Sequence, residues 1–173
     1  MTMPSDSFND LAAHLRHGEG ADMIDEWEQS ELETEQGRLR RRSLADVWER
    51  AMHRGDRVRV VASFGRLTGA VDFVGHDFAT VIGDGMCWDL RLDTCVMQPV
   101  RSPDRGHTVR GGSRTFRARM AEFESTGEEV TVLLSRDEFT ASIGVAASDH
   151  LVLTGEPPTI IPLSLISAVR RPV

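Results

Sequence analysis

From Ser43 onward the apolar residues fall at helical spacing: Leu44, Val47, Trp48 and Ala51 form one stripe, Ser43 is placed to cap it and Gly55 to stop it. Past Gly55 the period drops to two. Val58 and Val60 share one side while Arg57 and Arg59 share the other, as in a half-buried strand. The alternation runs on through Leu67, Gly69, Val71 and Phe73, resumes at Phe78 to Ile82, and returns as Trp88, Leu90 and Leu92 with Asp89, Arg91 and Asp93 between them. A short run from Val96 to Val100 closes the unit. The pattern predicts one helix and five short antiparallel strands.

The same grammar then recurs. Thr115 caps a stripe of Phe116, Met120 and Phe123 that Gly127 ends, and strands are predicted at Val130 to Leu134, Phe139 to Val145, His150 to Thr154, Ile161 to Leu165 and Ala168 to Val173. At an offset of 72, Gly55, Val58, Val60, Ser63, Thr68, Asp77 and Gly83 reappear as Gly127, Val130, Val132, Ser135, Thr140, Asp149 and Gly155. One inserted residue shifts the offset to 73, at which Leu90, Leu92, Val96, Pro99 and Val100 match Leu163, Leu165, Val169, Pro172 and Val173. Repetition of both pattern and punctuation points to duplication.

A helix followed by five strands, with Leu67-x-Gly69-x-Val71 leading to Val74-Gly75-x-Asp77-Phe78 and a later Leu90-x-Leu92-x-x-x-Val96, resembles the Sm-like (Lsm, Hfq-like) family over residues 43–100 and again over 115–173. The resemblance implies two tandem small open barrels, each a helix plus five antiparallel strands, in a mainly β chain. Glycine at position 69 suits such a fold, because a sharply bent strand brings neighbouring backbones too close for a side chain. Family members pair edge strands into rings, and many bind RNA at the loops after strands two and four. Carried over, this implies contacts at His76, Asp77 and Phe78 and at Asp149 and His150. Phe78 would stack on a base and Asp77 accept from a base edge; the competing expectation is that Phe78 fills the core and the aspartates make turn hydrogen bonds.

Charge divides the chain into sections. The net charge of −7 argues against a polyanion partner. Residues 1–42 nevertheless hold −5 of it, in an acidic tail that ends in an arginine run, and the remainder is close to neutral. A short helix is expected at Ser7 to His17, and further along Met23, Ile24 and Trp27 fall on one apolar stripe at helical spacing. Two expectations stand for residues 1–42: a solvated, partly helical or disordered tail, or a docking peptide anchored by Trp27. The linker 101–114 carries Arg101, Arg105, Arg110 and Arg114 against Asp104 alone, and reads either as a connector or as an RNA contact. All 20 cations are arginine, a bias of GC-rich genomes.

Catalytic chemistry finds little footing. Ser63 recurs as Ser135 without a recurring histidine to activate it, and Gly83-Asp84-Gly85 is a hairpin turn rather than a phosphate loop. Cys87 and Cys95 lack the spacing of a structural zinc site and are expected as reduced packing residues. No secretory leader and no membrane-length apolar run stand out, so a cytoplasmic protein is expected. The sequence therefore leads to a non-catalytic binding protein with no metal or cofactor. It is either RNA-associated or a protein-interaction scaffold that uses edge strands, with self-association, and the acidic tail.

Overall fold

The computed structural model describes residues 36–37, 40–101, 105–109 and 111–173. Met23, Ile24, Trp27 and Arg110, to which binding roles were assigned above, and the helix expected at Ser7 to His17 lie outside the described residues. Residues 43–173 form one compact unit, and the fold below is that unit's.

Helix α1 spans Leu44–Arg54 and starts at a reciprocal cap: Asp46 N donates to Ser43 Oγ at 3.2 Å and Ser43 N to Asp46 Oδ2 at 2.7 Å. Gly55 ends it in the left-handed region at φ 71°. Strands β1 (Arg57–Ala62), β2 (Gly65–Val74), β3 (Phe78–Gly83), β4 (Met86–Arg91) and β5 (Cys95–Val100) follow. Helix α2 (Phe116–Thr126), capped by Thr115 and stopped by Gly127, opens the second set. It continues with β6 (Glu129–Leu133), β7 (Glu138–Ala146), β8 (His150–Leu153), β9 (Thr159–Pro162) and β10 (Ala168–Pro172). The chain is mainly β.

All ten strands join in one antiparallel, open sheet of order β5-β1-β2-β3-β4-β10-β6-β7-β8-β9. The order 5-1-2-3-4 is thus repeated as 10-6-7-8-9, and the halves are joined where β4 pairs with β10, Asp89 opposite Val169. At Gly69 the β3 backbone leaves no room for a side chain: a Cβ there would overlap the Ile82 carbonyl.

Strand register corrects the expected alignment of the two halves. Phe78 faces Arg91, and its counterpart His150 faces Pro162, so the β8–β9 connection is one residue shorter than β3–β4, not one longer. Leu90 therefore corresponds to Ile161 and Asp89 to Ile160, and the strand expected to run to Leu165 ends at Pro162 before a 3-10 turn at Leu163–Leu165. The residue is recovered before β10, where Val169 faces Val132 as Met97 faces Val60. Likeness of leucine to leucine misled the alignment, because burial and ladder pairing, not identity, fix a position in a sheet.

The two cores interlock. One contains Trp48, Val58, Val60, Val81 and Leu90 together with Leu133 and Ala168 from the second half. The other gathers Phe116, Met120, Phe123, Val132 and Leu151 around Phe78 from the first. Strand β3 is consequently buried on both faces from Phe78 to Val81, a run that alternation by itself reads as half-exposed.

Candidate functional site: the seam between the repeats and its uncovered counterpart

Phe73, Thr80 and Asp89 form a row across β2, β3 and β4, each directly opposite the next. Helix α2 of the second half lies over this row. Asp89 is 0% exposed, accepts from Thr80 Oγ1 at 2.6 Å, and lies 3.2 Å from Nε of Arg119. Arg119 also donates to Glu122 at 2.7 Å and covers the Phe123 ring at 4.6 Å from its centre. Burial pushes the Asp89 carboxyl up, against the opposing pull of Arg119 and Thr80. The hydrogen bond from Ser113, aided by Arg119, holds Glu122 down. For Arg119 burial works to lower the pKa, but Asp89 and Glu122 outweigh it and the net direction is up. A cavity of about 290 Å³ adjoins this cluster, with Phe73, Cys87, Ser113 and Val109 among its walls.

Next to that row, the turn between β2 and β3 fastens the start of α2. Asp77 Oδ1 accepts from Phe116 N at 2.7 Å, His76 N donates to the Arg114 carbonyl at 2.7 Å, and the Phe78 and Phe116 rings meet edge to face at 6.3 Å. The structure thus brings His76, Asp77, Phe78 and Arg114 together, but as a clasp between the halves. Phe78 is fully buried, which corrects the expectation that it offers a face to a base. Asp77 has its carboxylate engaged with the helix. Asp149 and His150 occupy the same turn of the second half, exposed and half-buried, with His150 Nδ1 2.7 Å from Asp149 Oδ1. That contact holds the Asp149 carboxyl below its ordinary value.

The described part of the linker is docked. His107 N donates to the Met52 carbonyl at 3.3 Å, its Nε2 lies 2.9 Å from the Asp72 carbonyl, and Ser113 is buried. Arg101, Arg105 and Arg114 are exposed and make no ion pair among the described residues.

The second half presents the same row with different chemistry and, among the described residues, no helix on it. Val145, Val152 and Ile160 face one another across β7, β8 and β9 at the positions of Phe73, Thr80 and Asp89. Val145 is 47% and Ile160 65% exposed. The outer strands are blunted. Arg91 N donates to Ser167 across the β4–β10 junction, whereas Leu163 N donates inward to Asp149, so by alternation Ile160 and Pro162 aim at the open edge of β9. Pro162, in the place of Arg91, has no N–H to give, and Pro99 on β5 occupies the place of Arg171.

Sequence patterning missed Thr80, Asp89, Ser113, Arg119 and Glu122. The signal that finds them is the contrast of polar Thr80 and Asp89 with aliphatic Val152 and Ile160, visible only in the corrected register. Among the described residues no group of three or more His, Cys, Asp or Glu could hold a metal, and no helix is long and apolar enough to cross a membrane. Compared with protein-family models and with curated proteins, the chain matches none.

Proposed function

We propose that this chain is a non-catalytic protein-interaction module made of two Sm-like repeats, and that its binding surface is the uncovered face of the second repeat. The observation that supports this is the row Val145, Val152, Ile160: its counterpart in the first repeat is covered by a helix, while here Val145 and Ile160 are exposed and Val152 between them is half-buried. Prolines at the outward positions of the open edges leave few donors for strand addition, so the scaffold function moves from the edges, where the sequence placed it, to this face. A photo-reactive phenylalanine analogue in place of Ile160, in the native host, is expected to give an adduct of discrete mass, and the same probe at exposed Arg57 none. No adduct at position 160, or the same smear from both positions, rejects this function.

RNA association has less support. Of the described residues assigned to it, Phe78 and Asp77 are engaged at the seam, while exposed His76, Arg101, Arg105, Arg114 and Asp149 and half-buried His150 remain. Filter binding across a salt series is expected to show no more affinity than an acidic control protein; tight binding with a steep salt slope would reverse the order of the two functions.

A further inference from the structure

The contact that α2 makes inside the molecule has an equivalent at each end that no other element fills among the described residues. Phe116 and Arg119 are the residues by which α2 grips the first half, through Phe78, Asp77 and Asp89. Seventy-two residues earlier in the chain, α1 carries Leu44 and Val47 in their places. Both are exposed, at 57% and 41%, although α1 is otherwise anchored through buried Trp48, Ala51 and Met52.

The receiving face has changed in step with the helix. Inside the molecule Arg119 meets Asp89, which Thr80 holds by a hydrogen bond. At the free end Val47 stands for Arg119, Ile160 for Asp89 and Val152 for Thr80, so a cation paired with a carboxylate that a hydroxyl supports is replaced by aliphatic side chains at all three places. The turn beside the row keeps its aspartate: Asp149 stands where Asp77 accepts the first backbone N–H of α2. Changes on the helix alone or on the face alone would have left a charge against an apolar surface, which is unfavourable without a partner.

We infer that the uncovered β7–β8–β9 face receives helix α1 of a second copy of this chain, head to tail, with Leu44 and Val47 over Val152 and Ile160 and Asp149 at the helix start. This inference rests on the interaction-module function and names its occupant. It differs from assembly by strand pairing, because Pro162 and Pro99 remove donors that the internal β4–β10 junction uses at the equivalent places. The two surfaces differ from each other, so the contact is heterologous and repeats into a closed ring or a chain of copies.

The test uses the full chain and two variants at exposed positions, Val47→Arg and Ile160→Arg, with light scattering across a rising concentration series. Wild type is expected to exceed the mass of one chain, and each variant alone to stay a single chain, its association weakened about tenfold or more by the desolvated charge. An equimolar mixture is expected to form pairs and nothing larger, since the intact helix of one variant meets the intact face of the other. Unchanged circular dichroism and thermal midpoint show that both variants fold. Wild type that remains a single chain at every concentration overturns the inference, as do variants that associate like wild type or a mixture that does not pair. If wild type is a single chain while the probe at position 160 still captures another protein, the occupant is wrong and the interaction module stands; if both fail, the module falls too.

Discussion

Asp89 and Arg119 come from opposite repeats and meet at 3.2 Å beneath α2, the carboxylate wholly buried and the guanidinium partly so. Removing one partner strands the other. Arg119→Met is expected to destabilise the fold by about 3 kcal/mol in urea unfolding, the usual consequence of an unpaired buried charge. Adding Asp89→Asn to that variant should recover part of the loss; a double variant no better than the single one would assign the effect to lost packing of the arginine stem.

The same carboxylate gives the pH dependence an uncommon sign. Its folded pKa lies above the ordinary aspartate value, chiefly through burial, so the native state takes up a proton before the unfolded chain does. Asp89 therefore weakens the fold as pH rises from the ordinary aspartate pKa through its raised one, and that loss is full above the raised value. Glu122, whose pKa is lowered, acts oppositely, contributing stability that is lost on acidification through its folded pKa. Asp89→Asn is expected to gain less stability than wild type, or to lose more, as pH is lowered from neutrality towards the ordinary aspartate pKa, as read from melting temperature. Parallel curves would contradict it.

Asp77 and Asp149 occupy equivalent turns but only Asp77 caps a helix, through Phe116 N at 2.7 Å. Asp77→Ala is therefore expected to lower stability by about 1 kcal/mol. In dilute solution Asp149→Ala should leave the unfolding midpoint unchanged. Equal effects would show that the cap contributes nothing of its own.

At Gly69 a side chain would collide with the backbone carbonyl of Ile82, which cannot rotate aside. Gly69→Val is expected to destabilise by about 2 kcal/mol or more. Substituting Gly144, whose position would meet only ordinary contacts, should be mild; the reverse order in chemical denaturation would refute the close approach.

Burial raises both thiols, Cys95 to about 11, while Cys87 lies within the seam. At pH 8 both should label slowly with a thiol-specific disulfide reagent and become fast only on unfolding. Rapid labelling of Cys87 in the native protein would mean that α2 lifts from β4.

Local order was legible in the sequence because its causes are local. Ser43 and Thr115 as caps, Gly55 and Gly127 as stops, and the change of period from helix to strand follow from backbone geometry and the hydrophobic face that each element must bury. The duplication was legible for the same reason. What faces each strand's second side was not. Asp89 and Arg91 alternate with Trp88 and Leu90 as a solvent face should, yet Asp89 is buried because helix α2 of the second repeat lies across it. Ile160, at the equivalent place, is exposed, and neither α1 nor α2 covers it. Alternation reports that a strand has two different sides; only the tertiary arrangement decides which neighbour occupies them, because that depends on contacts between residues far apart in the chain.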